Sequence, residues 1–227
     1  MAISSVNVNT ILTKLQSSSS LLSALNSTED TTSDLLTNAA NAQTTIASIS
    51  ELGAKINASY QAAQASGDSD TVENFASTMM SVLNNPDPLE TIDFINNISE
   101  MAESGSSTFN DVLSTYSALS SGEASNGTVT YNNLVNSLYQ NYGTEAVDEL
   151  NASVETINNA DYAESQVSLN DSLANVYNIY NQILNSDMEA EDATALMSAL
   201  NTGLQKQETG DSIGDYLTMF KSDNGLA

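Results

Sequence analysis

The chain has 227 residues, 40% hydrophobic and 15% charged, and its four lysines stand against 29 Asp and Glu for a formal net charge of -25 at pH 7. With no Cys, His, Trp or Arg, it excludes thiolate and imidazole metal sites, haem or iron-sulfur ligation through those residues, thiol nucleophiles and His-based triads. It also lacks the guanidinium fork that grips phosphate; Lys14, Lys55, Lys206 and Lys221 are too scattered to form a basic patch, and so acidic a chain is repelled by nucleic acid and anionic lipid.

The opening stretch, MAISSVNVNTILTKLQSSSS, has neither the basic start nor the apolar run of a secretory signal, and no later run approaches the ~18 apolar residues of a membrane span. The expectation is a chain without membrane insertion, exported, if at all, by a route that does not read a cleaved apolar signal. Val8, Ile11, Leu15, Leu22 and Leu25 share a heptad, with Ser18 in a core slot, and predict a first helix that turns near Asn26.

The strongest signal follows. Leu35, Ala39, Ala42, Ile46, Ile49, Gly53, Ile56, Tyr60 and Ala63 alternate spacings of four and three, the period of a coiled-coil seam. No Pro interrupts it, and Asn26 to Asp30 offer caps and first-turn acids. The reading is one helix of about 30 to 38 residues, ending near Ser66-Gly67 and packing on the first as an antiparallel hairpin. The small seam residues allow close approach of helices. Ile46, Ile49, Gly53, Ile56 and Tyr60 are the candidate interface residues.

Shorter amphipathic segments come next. Asp70 and Glu73 make a capping-box pattern ahead of Phe75, Met79, Val82 and Leu83, and that helix stops at Asn84-Asn85-Pro86. Asp87-Pro88-Leu89-Glu90 combines an N-cap, Pro at the first helical position and a first-turn acid, and predicts a helix with the face Leu89, Ile92, Ile95, Ile98 and Met101, ending by Ser104-Gly105. Further helices are expected over 108–120, 131–142, 144–158, 161–185, 188–202 and 211–221. In the fourth of these, Leu169, Leu173, Val176, Tyr180 and Ile183 keep a coiled-coil spacing. Only Thr128-Val129-Thr130 looks strand-like. The fold class is therefore all-α: a long N-terminal helical hairpin followed by a bundle of shorter helices. The expected division is 1–104 and 105–227, with the loop over 120–130 a second candidate boundary; one continuous domain is the alternative. No internal repeat is present at solenoid periods.

Chemistry-bearing patterns are few. The stretch from Gly122 to Asn133 aligns with a calcium-binding helix-loop-helix turn when Gly127 takes the turn position, which makes Asn126 and Thr128 candidate ligands. Gly122, Ala124 and Asn133 then stand where three oxygen ligands belong, so an Asn-Gly turn between helices accounts for the stretch more fully. Asp68, Asp70 and Glu73 are a second calcium candidate, for which helix capping is the simpler account. Asp187, Glu189, Glu191 and Asp192 read as acids complementing a helix dipole. Lys14 with Ser17 and Ser18 has the residue types of Ser-Lys catalysis but belongs to a Ser-rich helix face. Six N-glycosylation sequons, at Asn26, Asn57, Asn97, Asn126, Asn151 and Asn170, are no more than chance gives with 27 Asn, 34 Ser and 21 Thr.

This composition, Cys-free, Lys-poor and rich in Ser, Thr, Asn and Ala, resembles that of exported bacterial filament and surface-layer subunits and of type III secretion translocators. The resemblance covers no alignable residues, so no functional position carries over. It implies a non-enzymatic exported or cell-surface helical protein, an assembly or interaction subunit of filament, surface-layer or matrix type, whose partners are itself or another protein through helical faces. The other expectations are a secreted effector or translocator-like binding protein, an acidic intracellular scaffold placed in the cytoplasm, and, furthest back, an enzyme using carboxylates alone. No cofactor is expected beyond calcium or another divalent cation, whose charge would relieve the repulsion between copies.

Overall fold

The computed structural model describes residues 8–26, 35–121 and 127–226. All the regular structure among them is α-helical; the single exception to helix and loop is an isolated bridge between Asp161 and Thr209. The chain forms two compact units, one up to Leu113 and one from Ser114. The division falls inside the helix over Ser107–Ser121.

In the first unit, α1 (Val8–Ser17) and α2 (Ser19–Asn26) replace the single expected helix. The break is at Ser18, whose N–H bonds back to the Leu15 carbonyl three residues earlier and tightens the turn. Both pack on α3 (Leu35–Ala65), the long helix, whose 31 residues match its heptad pattern in length. Gly67, at φ 72°, stops it in a left-handed conformation that only glycine adopts without cost. The helix α4 (Ser69–Val82) then begins on Asp68, not Asp70: the Asp68 carboxylate accepts from the Asp70 N–H at 3.1 Å. The helix α5 (Pro88–Glu103) starts as its sequence requires, with Asp87 accepting from the Leu89 and Glu90 amides.

The core of this unit is Ile11, Leu15, Leu52, Ile56, Phe75, Met79, Phe94, Ile98 and Met101. Two sequence readings are corrected by it. On α5 the inward face is Thr91, Phe94, Ile95, Ile98 and Met101, while Leu89 is 60% exposed, since it lies in the first turn off that stripe. On α3 the buried positions Leu52, Ile56, Ser59 and Ala63 keep the four-three spacing but run partly beside the proposed seam. The helices α1, α2, α4 and α5 all touch α3, and a helix covered from several sides buries more than a two-position seam.

The helix α6 (Ser107–Ser121) spans the division. The second unit continues with α7 (Thr128–Tyr142), α8 (Thr144–Asn158), α9 (Leu169–Leu184), α10 (Ala190–Leu204) and α11 (Gly210–Asp223). The helix α8 is central and packs on α7, α9 and α10; α11 closes against α9 and α10. Its core takes Tyr131, Leu138, Val147, Leu150, Val154, Val176, Tyr180, Met197, Leu200 and Leu217. The strand-like Thr128-Val129-Thr130 is the first turn of α7.

The helix expected from Asp161 begins only at Leu169, because Ser168 is extended and forms a reciprocal capping box with Asp171. The preceding segment, 161–167, is instead tied to the start of α11. The Gly210 N–H donates to the Asp161 carbonyl at 2.9 Å, and the Asp211 carboxylate accepts from the Gln166 N–H at 2.8 Å and the Ser165 hydroxyl at 3.0 Å. A methyl group at Gly210 would collide with the Tyr162 ring, and one at Gly214 would sit 2.8 Å from a Val167 methyl. Glycine at these two helical positions lets the segment lie directly on α11.

Candidate functional site

The sequence candidates fall in three different settings. Asn126 lies outside the described residues; Thr128 is buried in the first turn of α7. The Asp68 carboxylate is committed to capping α4, accepting from the Thr71 hydroxyl at 2.9 Å and the Asp70 N–H, and those two bonds hold its pKa below 3.8. Asp70 and Glu73 point to solvent. Among the described residues no group of three or more Asp or Glu side chains is placed to hold a metal ion.

The proposed interface residues of α3 are largely used within the first unit. Ile56 is 1% exposed, Gly53 lies against Leu12 at 3.4 Å for an added methyl, and Tyr60 tilts against Phe75 at 5.9 Å between ring centroids. Ile49 is half-buried. Ile46, 64% exposed, is the one open to solvent.

In the second unit, polar groups are buried among the helices. The Tyr131 hydroxyl donates to Asn151 Oδ1 at 2.5 Å, and the Ser153 and Tyr180 hydroxyls pair at 3.1 Å. Among the described residues, Asn132 Oδ1, Asn151 Nδ2 and the Tyr177 hydroxyl are buried with no hydrogen-bond partner. Burial pushes the Tyr177 and Tyr180 phenols far above their ordinary range; for Tyr180 the Ser153 bond opposes this and the Glu149 charge adds to it. Both stay neutral at any physiological pH, which suits packing and not proton transfer.

An open groove of about 720 Å³ lies at the surface between α10 and α11. It is lined by Ala195, Ser198, Ala199, Thr202 and Gly203 on α10, by Lys206 and Gln207 just after it, and by Tyr216 and Met219 on α11. The small α10 side chains recur at helical spacing on one face. Gly203 is obligatory for the wall, since a methyl group there would occupy the place of the Tyr216 ring and hydroxyl. That hydroxyl donates to the Ala199 carbonyl at 3.2 Å. Burial raises the Tyr216 pKa, so it donates throughout the neutral range.

Met219 is 54% exposed, one of four large apolar side chains open to solvent among the described residues, with Ile46, Leu89 and Val129. Among the described residues Lys55 pairs with Glu51 at 3.4 Å, while Lys14, Lys206 and Lys221 have no carboxylate within ion-pair distance. Sequence reasoning passed over this groove because Ala195, Ser198, Ala199 and Thr202 read as an ordinary polar helix face; the available signal was the recurrence of small residues opposite the core positions Met197 and Leu200.

No protein-family model matches the chain, and neither the curated proteins nor the solved structures compared with it give a match. No helix among the described residues is long and apolar enough to cross a membrane.

Proposed function

We propose that this protein is a non-enzymatic interaction or assembly subunit, exported or displayed at a cell surface, that works by presenting helical surfaces to protein partners. The observation that carries the reading is the groove between α10 and α11. It combines small side chains, an exposed Met219 and a Lys206 with no ion-pair partner among the described residues, features that suit an apolar helix with a carboxylate better than a reacting small molecule. The external setting is supported by composition alone: a polar face built from Ser, Thr and Asn and a charge of -25.

Charge of that density opposes association in low salt and is screened as ionic strength rises, the Debye length falling from about 30 Å at 0.01 M to about 8 Å at 0.15 M. Divalent cations act in the same direction at lower concentration. Sedimentation velocity of the purified chain, at low and moderate salt and with or without millimolar calcium, tests the reading. Larger species growing with salt or calcium are expected; a monomer under every condition overturns assembly.

A further inference from the structure

We infer that the groove between α10 and α11 is the docking site for the same helix of a second copy of this chain, in an antiparallel, two-fold arrangement; this rests on the interaction-subunit reading above. The order of residues along the exposed face of α10 is self-complementary. Around the Ser198-Ala199 midpoint the stripe is symmetric in position: Ala195 and Thr202 lie three residues out on either side, and Glu191 and Lys206 seven residues out. Glu191, Ala195, Ser198, Ala199 and Thr202 share one face of α10, ~100° wide at ~100° per residue, and Lys206 follows in the turn just past the helix end at Leu204. Under a two-fold axis at the midpoint, Ser198 meets Ala199 of the other copy, Ala195 meets Thr202, and Glu191 meets Lys206, twice over.

Position symmetry with opposite charge at the two ends is what a self-complementary antiparallel contact requires. A parallel pairing would set Lys206 against Lys206 and Glu191 against Glu191. A foreign helix would have to bring its own carboxylate to Lys206, whereas a second copy carries it at the matching distance, with Asp192 beside it. The small side chains let two helices approach to ~8 Å, the low end of helix packing distances. Tyr216 and the exposed Met219 stand along one side of the groove and would cover the incoming helix; Met adapts well to such a surface. Lys206 lacks an ion-pair partner among the described residues, and the second copy supplies one.

The natural absence of cysteine makes the test direct. In the full-length chain, Ser198→Cys places one thiol at the proposed axis, and mild oxidation is expected to give a covalent dimer. Ser77→Cys, exposed on α4 of the other unit, is expected to stay monomeric at the same concentration. Charge exchange provides a second readout without a cross-link. Lys206→Glu alone and Glu191→Lys with Asp192→Lys alone should each weaken association roughly tenfold, the scale of losing two rim pairs and gaining two like-charge contacts. Mixed together they should associate better than either alone, because the heterodimer restores both pairs.

Association of the parent chain without preferential cross-linking at Ser198, or without recovery in the mixture, overturns this dimer and leaves the interaction-subunit reading standing. A parent chain that stays monomeric, with no cross-link from Ser198→Cys, overturns both.

Discussion

Replacing Tyr131 by Phe isolates the buried polar network of the second unit. The ring stays, and with it the edge contact to Tyr116 at 6.3 Å; only the hydroxyl that donates to Asn151 Oδ1 is removed. Asn151 Nδ2 already lacks an acceptor among the described residues, so the variant leaves a buried side-chain amide with no partner among them at either end. Stranding a buried polar group costs about 1–3 kcal/mol, more than the ~1 kcal/mol of an average hydrogen bond. At roughly 4–5 °C per kcal/mol for a unit of this size, the midpoint should fall by about 4–15 °C. Adding Asn151→Leu, close in shape and apolar, should recover at least about 1 kcal/mol, since removing both partners relieves the desolvation penalty that removing one creates. Calorimetry and urea denaturation give the energies, and amide exchange along α7 and α8 places the loss in the second unit. A Tyr131→Phe chain within about 0.5 kcal/mol of the parent, or a double variant no more stable than the single, would refute the reasoning.

Asp211→Ala should release the segment over 161–167 by removing the acceptor of the Gln166 N–H and Ser165 hydroxyl, at a cost of about 1–2 kcal/mol; Asp211→Asn keeps one oxygen and should lose less, with Gln166 amide exchange as the readout. Gly203→Ala should leave stability within about 1 kcal/mol of the parent, a gain in helix propensity offsetting loss of the Tyr216 bond, yet weaken association by displacing the groove wall, which sedimentation measures. Asp68, held below its usual 3.8 by the Thr71 hydroxyl and the Asp70 amide, supplies a cap that is complete above that value and lost as pH falls through the lower folded one; a carboxyl-carbon NMR titration should show its midpoint displaced downward. Tyr177 and Tyr180, raised by burial, contribute stability that is complete below about pH 10, the ordinary phenol range, and is lost as pH rises beyond it. Absorbance titration should show them ionising only with unfolding.

How much of this molecule is legible in its sequence depends on whether local chemistry or distant contacts decide the structure. Helix starts written into side chains were readable: Asp87-Pro88 before α5 carries its cap and its pre-set backbone angle in adjacent residues. The all-α class was readable for the same reason, since apolar residues recur at helical spacing almost throughout. The start at Ser168 was missed although its Ser-x-x-Asp box is equally local, because the run from Asp161 continues an apparently helical pattern. What decides 161–167 is Asp211, more than forty residues away, and two glycines of α11 that let it lie close. Ser18 breaks the first helix without any Pro or Gly to announce it. Leu89 was placed on the inner face by spacing alone, and first-turn residues are where spacing is least constraining.

The site was less legible than the fold for a different reason. Patterns that announce chemistry work by scarce residue types at fixed intervals, and this chain has none of the scarce types. Its candidate interface is written in residues that are common everywhere, and only the knowledge of which face of α10 is open turns them into a signal. Met197 and Leu200 point into the core, which leaves Glu191, Ala195, Ser198, Ala199, Thr202 and Lys206 as the outward stripe. The acids at its start complement the helix dipole whether or not a partner is present, so their second use is hidden by an adequate first one. Lys206 is an exposed lysine in the turn after α10, at the end of a small-residue groove, and it is there that a carboxylate of a second copy is proposed to dock.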